Sequence, residues 1–178
     1  RSKYRQPHGD PRLVTQFPIG GQAYPAATTA TIPGIGTIVI GTNGAYTFTP
    51  APNWNGTVPP ITYAVSDGHM GGTTTSTLGI VVTPVNDAPA MVGTLPNQTD
   101  ADADGITSVP TASAFTDVDG DTLAYAAEGL PLGLTIDDET GVISGVIDNS
   151  ASQGGPGANG VYTVTITATD PDGEEVEQ

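Results

Sequence analysis

The sequence predicts an all-β chain folded as two small sandwich or barrel domains, and three observations carry that reading. Apolar residues recur with period two in short runs, the pattern of strands with one buried face. These runs favour Val, Ile and Thr, whose branched Cβ packs well on a pleated surface and poorly in a helix. Gly (24) and Pro (16) cut the 178 residues so often that the longest stretch free of both is ten residues, Val161 to Asp170. No coiled coil, long helix or membrane-spanning helix, which needs ~18 apolar residues, fits between such interruptions. A chain of this length holds one large domain or two of about ninety residues, and the frequent turns favour two.

In chain order, Thr37–Ile40 and Ala45–Thr49 flank Gly41-Thr42-Asn43-Gly44, a hairpin turn in which Asn-Gly is expected to take positive φ. Ile61, Tyr63 and Val65 then point to one face of a strand, with Thr62 and Ala64 on the other. After Gly71-Gly72 a further strand runs over Thr73–Thr83, with Leu78, Ile80 and Val82 on one side. The Pro-bounded segment Pro84-Val85-Asn86-Asp87-Ala88-Pro89 reads as a short stiff linker, placing the domains at 1–86 and 87–178. Late in the chain, Val161, Thr163, Thr165 and Thr167 alternate with Tyr162, Val164, Ile166 and Ala168. Tyr63–Gly68 matches Ile166–Gly173: a strand ending in Asp, then a Gly turn. Eight residues follow Asp170, so the second copy is expected to lack its final strand.

Charge narrows the partners. The formal net charge is −15, yet all four basic residues (Arg1, Lys3, Arg5, Arg12) fall in the first twelve positions. From Leu13 onward there are eighteen carboxylates and no Lys or Arg, and seventeen of the nineteen acids fall from Asp87 onward. Nothing could neutralise phosphate, which excludes nucleic acid and anionic membranes as partners. The acids are either solvated or share a cation from solution. With no Cys and only His8 and His69, a bound metal would be a hard ion with oxygen ligands, calcium before magnesium.

Specific motifs go further. The run Gly44-Ala45-Tyr46-Thr47-Phe48-Thr49-Pro50-Ala51-Pro52-Asn53-Trp54-Asn55-Gly56, then Ile61–Gly68 and Pro84–Pro89, resembles the cadherin-like (VCBS-type) repeats of large bacterial RTX adhesins. The second half resembles a dystroglycan-type cadherin-like domain. The residues concerned are Phe115–Leu123, Gly129–Leu134, Asp138-Glu139-Thr140-Gly141-Val142-Ile143-Ser144-Gly145 and Ala168-Thr169-Asp170. The resemblance implies two tandem Greek-key, immunoglobulin/cadherin-like β-sandwiches with Ca2+ at domain junctions. By position it implies ligands at Asn86 and Asp87 of the linker, Asp117 and Asp119 between the second and third strands, and Asp170 closing the penultimate strand. Asp121 and Asp172 are further candidates beside them.

A second cluster, Asp100-Ala101-Asp102-Ala103-Asp104-Gly105, has the opening of an EF-hand loop, but its twelfth position is Thr111 rather than a bidentate Glu. A solvated loop accounts for it equally well. Asp137-Asp138-Glu139 reads as solvent-facing, and Ile147-Asp148-Asn149-Ser150 departs from the cadherin pattern. In the first domain, His8-Gly9-Asp10-Pro11 retains one acid of the usual loop, and Asp67 lacks acidic company. The strands that normally open such a repeat are not evident, and residues 1–12 are out of character with the rest.

No catalytic constellation stands out, because neither His has a Ser-His-Asp or metal-ligand context. Trp54 is expected to pack in a loop corner rather than stack on a sugar, and Thr73–Thr77 to face solvent. The expected function is a calcium-stiffened spacer in a secreted, extracellular bacterial surface adhesin, supporting cell adhesion or biofilm formation. Its partners would be neighbouring repeats. The alternatives are a module binding glycans or other surface ligands, and a strand-exchanging unit that self-associates head to tail through open sheet edges.

Overall fold

A computed structural model describes residues 12–68 and 72–178, so the His8–Pro11 loop, His69 and Gly71 lie outside the described residues. The chain divides into two units, one ending at Val85 and the other spanning Asn86–Gln178. Both are all-β, with antiparallel pairing throughout, as the period-two pattern requires.

The first unit contains β1 (Leu13–Ile19), β2 (Gln22–Pro25), β3 (Thr29–Ile32), β4 (Gly36–Ile40), β5 (Tyr46–Pro50), β6 (Gly56–Ser66) and β7 (Thr73–Val82). They form two sheets, ordered β2-β1-β6-β7 and β3-β4-β5. Val14, Phe17, Val58 and Ile61 from the first and Ala30, Ile32, Ile38 and Ile40 from the second close one buried core. That shared core is what makes the pair an Ig/cadherin-like sandwich. Val14 and Phe17 are three apart, yet both are buried. The β1–β6 register shifts between Val14 and Gln16, and the extra residue turns Phe17 back to the core face. A second shift, between Val58 and Ile61, absorbs Pro59 and Pro60, which cannot donate to a ladder.

The β4–β5 hairpin forms at Gly41–Gly44 as expected, with one difference. Gly44 alone takes positive φ (85°). Asn43 instead accepts the Ala45 N–H on Oδ1 at 3.0 Å, while Gly44 N–H donates to Gly41 O at 2.9 Å. The Asn side chain thus closes the turn without its backbone entering the left-handed region.

The second unit contains β8 (Ala90–Met91), β9 (Val109–Pro110), β10 (Phe115–Thr116), β11 (Ala124–Glu128), β12 (Leu134–Ile136), β13 (Val142–Gly145), β14 (Thr165–Thr169) and β15 (Glu175–Glu177). Single 3₁₀ turns lie at Ala112–Ala114 and Ala151–Gln153. The sheets are β10-β8, β11-β14-β15 and β12-β13-β9. Their core is Ala114, Phe115, Leu123, Ile143, Ile166 and Ala168. Strand β14 starts at Thr165, so Val161–Val164 lie outside it despite their alternation. Tyr162 donates its hydroxyl to Ala151 O at 3.1 Å, and Val161 N–H bonds to Asn159 Oδ1. That segment packs on the Ala151–Gln153 turn instead of pairing in a ladder.

The two matching segments fold alike: β6–β7 and β14–β15 are both antiparallel hairpins. In each, the closing Asp donates its N–H across the turn, Asp67 to Gly72 O at 3.2 Å and Asp170 to Glu174 O at 3.0 Å. Where no further strand is expected after Asp170, the chain turns back as the three-residue β15.

Candidate metal centre

The loop after β10 is organised by its first acid. Asp117 Oδ1 accepts the backbone N–H of Asp119 at 2.8 Å and of Asp121 at 3.3 Å, with Gly120 at φ 81° making the bend. One carboxylate oxygen from each of Asp117, Asp119 and Asp121 therefore lies within 4.8 Å of the others. The remaining oxygen of Asp117, Oδ2, is buried with no hydrogen-bond partner. A buried anionic oxygen without a donor bears its full desolvation penalty, so a counter-charge there has an evident role.

Two further segments reach this loop within the same unit. Asp170 directly follows β14, with only 5% of its surface exposed. Its Oδ2 accepts Asn86 Nδ2 at 2.7 Å, and its Oδ1 accepts the Glu174 N–H at 2.8 Å. The Asn86 amide chiefly, opposed by burial and aided by the N–H groups of Glu174, Gly173 and Asp172, holds the Asp170 carboxyl below its ordinary pKa. Asp87 donates its backbone N–H to Asp119 Oδ2 at 2.8 Å. Asn86 and Asp87 thus strap the start of the unit across two loops that lie 32 and 84 residues further along.

The electrostatics of the cluster are one-sided. Burial, then repulsion from Asp117, Asp119, Asp170 and Asp172, pushes the Asp121 carboxyl above its ordinary value. Among the described residues the sole Lys or Arg is Arg12, which belongs to the other unit. An all-oxygen, anionic donor set with no protein cation suits a hard divalent ion. Calcium, which takes six to eight oxygens from carboxylates, carbonyls and water, fits these residues. Asp117, Asp119 and Asp121 would hold it directly, while Asn86 and Asp87 brace the site by donating to Asp170 and Asp119.

The other acids fall elsewhere. Asp102 Oδ1 accepts the Ser152 N–H at 2.7 Å and ties its loop to the Ala151–Gln153 turn. Ile147 N–H bonds to Asp104 O, and Ala103 sits at φ 63°, so Asp100–Asp104 is bound into the fold through its backbone. Thr111 is fully buried, its hydroxyl donating to Gly141 O at 2.7 Å, and is unavailable as a ligand. Asp137 caps its own turn by accepting the N–H of Glu139 and both the N–H and hydroxyl of Thr140. Asp148 does the same for Ser150, a role its Asp-x-Ser spacing signals and the cadherin comparison obscured. Sequence reasoning also missed that Asn86 uses its amide as a donor to Asp170. Trp54 packs edge-on against Phe48, with ring centroids 6.2 Å apart, in the loop corner expected for it.

Comparison with known families supplies the lineage. Residues 83–178, more than half of the chain, match the family model described as Putative Ig domain. The chain belongs to this Ig-domain family. Residues 24–83 of this Ig-family chain match a second model, described as Cadherin-like domain. No curated protein matches the chain. Among solved structures it is similar to an endo-fucoidan hydrolase from glycoside hydrolase family 107. The TM-score is 0.38 and the identity 19%, over 93% of the present chain and 25% of that one. The chain therefore spans about a quarter of that enzyme's length. No helix among the described residues is long and apolar enough to cross a membrane. Ig-like and cadherin-like domains of this kind are repeat modules of the adhesion type, usually extracellular, and cadherin-like domains generally bind calcium.

Proposed function

We propose that this chain is a calcium-stiffened spacer of a secreted bacterial surface adhesin, supporting cell adhesion or biofilm formation. The buried, unpartnered Oδ2 of Asp117, with Asp119 and Asp121 gathered within 4.8 Å, carries the reading. The ion would supply positive charge that the second unit, which has no Lys or Arg, lacks. The residues do the rest: Asp117 shapes the loop, Asp119 holds the Asp87 backbone, and Asp170 holds the Asn86 amide. Loading the site would fix the start of the second unit, the segment at which the chain enters it, against its own loops. Stiffness along a chain of such repeats follows from fixing each such start.

Calcium titration of the chelated protein tests this. At about 100 times its Kd, an ion that binds only the native state adds about 2.7 kcal/mol. For a domain of this size that raises the melting temperature by roughly 10 to 20 °C. Asp119→Ala should remove most of the rise, whereas Asp138→Ala, on an exposed turn, should leave it intact. An unchanged melt with no binding heat in calorimetry would sink the proposal.

A further inference from the structure

We infer that β7 is a homodimerisation edge, through which two copies of the chain pair their first units into one continuous antiparallel sheet. Strand β7 is the outermost strand of β2-β1-β6-β7, and among the described residues only β6 pairs with it. At ten residues it is twice the length of any other outer strand described, the next being β5 and β11 at five. Alternate residues of such a strand direct N–H and C=O groups away from the sheet, as a template for another strand.

Outer strands are normally protected by charge, Pro, a bulge or shortness, and every other outer strand described carries a charge or a Pro or is no more than four residues long. Strand β15 occupies the equivalent place in its hairpin and carries Glu175 and Glu177 within three residues. Strands β2, β5 and β9 end in Pro25, Pro50 and Pro110, β11 ends in Glu128, and β3 is four residues long. The β7 sequence Thr-Thr-Thr-Ser-Thr-Leu-Gly-Ile-Val-Val has no charge and no Pro.

Charge and side-chain pattern both favour a second copy as the occupant. Between Leu13 and Asn86 the one charged residue is Asp67, so two first units meet without the repulsion that seventeen acids would impose on the second units. The strand is also complementary to itself. Opposed residues of joined sheets must share a face, so the residue numbers of each opposed pair must sum to an even value. Two registers keep this over nearly the whole strand, with the two-fold axis through Thr77 or through Leu78. In the first, Thr73 meets Val81, Thr74 meets Ile80 and Ser76 meets Leu78. In the second, Thr75 meets Val81 and Ser76 meets Ile80. Either way the polar N-terminal half covers the apolar C-terminal half, including Val81, which is 67% exposed.

The full chain, which has no Cys, permits a direct test. Sedimentation across about 10 µM to 1 mM should show a growing dimer fraction, as expected for a small polar interface. Under mild oxidation a single Thr77→Cys or Leu78→Cys variant should crosslink to its own counterpart, because residues on the axis have Cα atoms about 4.5–5.5 Å apart. Thr73→Cys, near the strand end, should not. Thr77→Lys should weaken association several-fold by placing like charges opposite or diagonal to each other, and mixing it with Thr77→Glu should restore pairing. A monomer at every concentration, or a dimer indifferent to Thr77→Lys and crosslinked at neither central position, would overturn the proposal.

Discussion

Asp117 commits Oδ1 to its own loop and leaves Oδ2 buried without a donor, whereas Asp137 gathers three local bonds on Oδ1 and lies on an exposed turn. The same residue type therefore serves two ends, and the neighbours decide which. The Thr140 hydroxyl and backbone N–H, helped by the Glu139 N–H, hold the Asp137 carboxyl below its ordinary value of 3.8. A depressed folded-state pKa contributes stability that is fully present above the unfolded value and is lost as pH falls through the folded one. Asp137→Asn should therefore destabilise the second unit most near neutral pH. The gap from the parent should close below about pH 4. Denaturant melts at pH 7 and pH 3 measure it, and a gap independent of pH would refute an ionic origin.

At the scale of elements, hairpins and their turns were largely legible. Period-two runs marked β4, β6, β7 and β14, and Asp-Gly and Asn-Gly pairs marked turns, because these signals act over neighbouring residues. What escaped were positions set by distant partners. The alternation across Val161–Val164 has the right chemistry for a strand, but that stretch bonds to the Ala151–Gln153 turn. Gly141 is another such position. It sits at φ 64°, and an added Cβ would lie 3.0 Å from Thr111 Oγ1 and 3.1 Å from the Tyr125 ring. Its carbonyl also accepts both the N–H and the hydroxyl of Thr111. Gly141→Ala should cost about 2 kcal/mol or more, from left-handed strain and overlap together. Gly173→Ala, at φ 90° with open space around it, should show the strain alone. Equal losses at the two sites, in urea melts, would argue that the packing around Gly141 yields freely.

At the scale of the whole molecule, the two hydrophobic cores share no residue. Calorimetry should resolve two transitions that respond to different changes. Phe17, fully buried in the first core, should lower only the first unit's transition when replaced by Ala, by about 3–5 kcal/mol. Calcium should raise only the second unit's, since the acids of the candidate centre all lie from Asn86 onward. A single transition moved by both treatments would show that the units unfold together.

The sequence by itself determined the all-β class, the turn positions and the absence of any basic group to balance the acids of the second half. Those properties follow from composition and from period-two spacing, which a linear reading captures. Position-by-position resemblance named Asn86, Asp87, Asp117, Asp119 and Asp170 together, with Asp121 a further candidate beside them. Only the tertiary structure decided how each is used: Asp117 left with an unsatisfied oxygen, Asp121 raised by its neighbours, Asn86 donating to a carboxylate 84 residues away. It also separated these acids from Asp102 and Asp137, equally acidic on paper but already engaged by Ser152 and Thr140. Burial and hydrogen-bond partners arise from chain segments far apart in sequence, and local pattern carries no record of which carboxylate will find a donor.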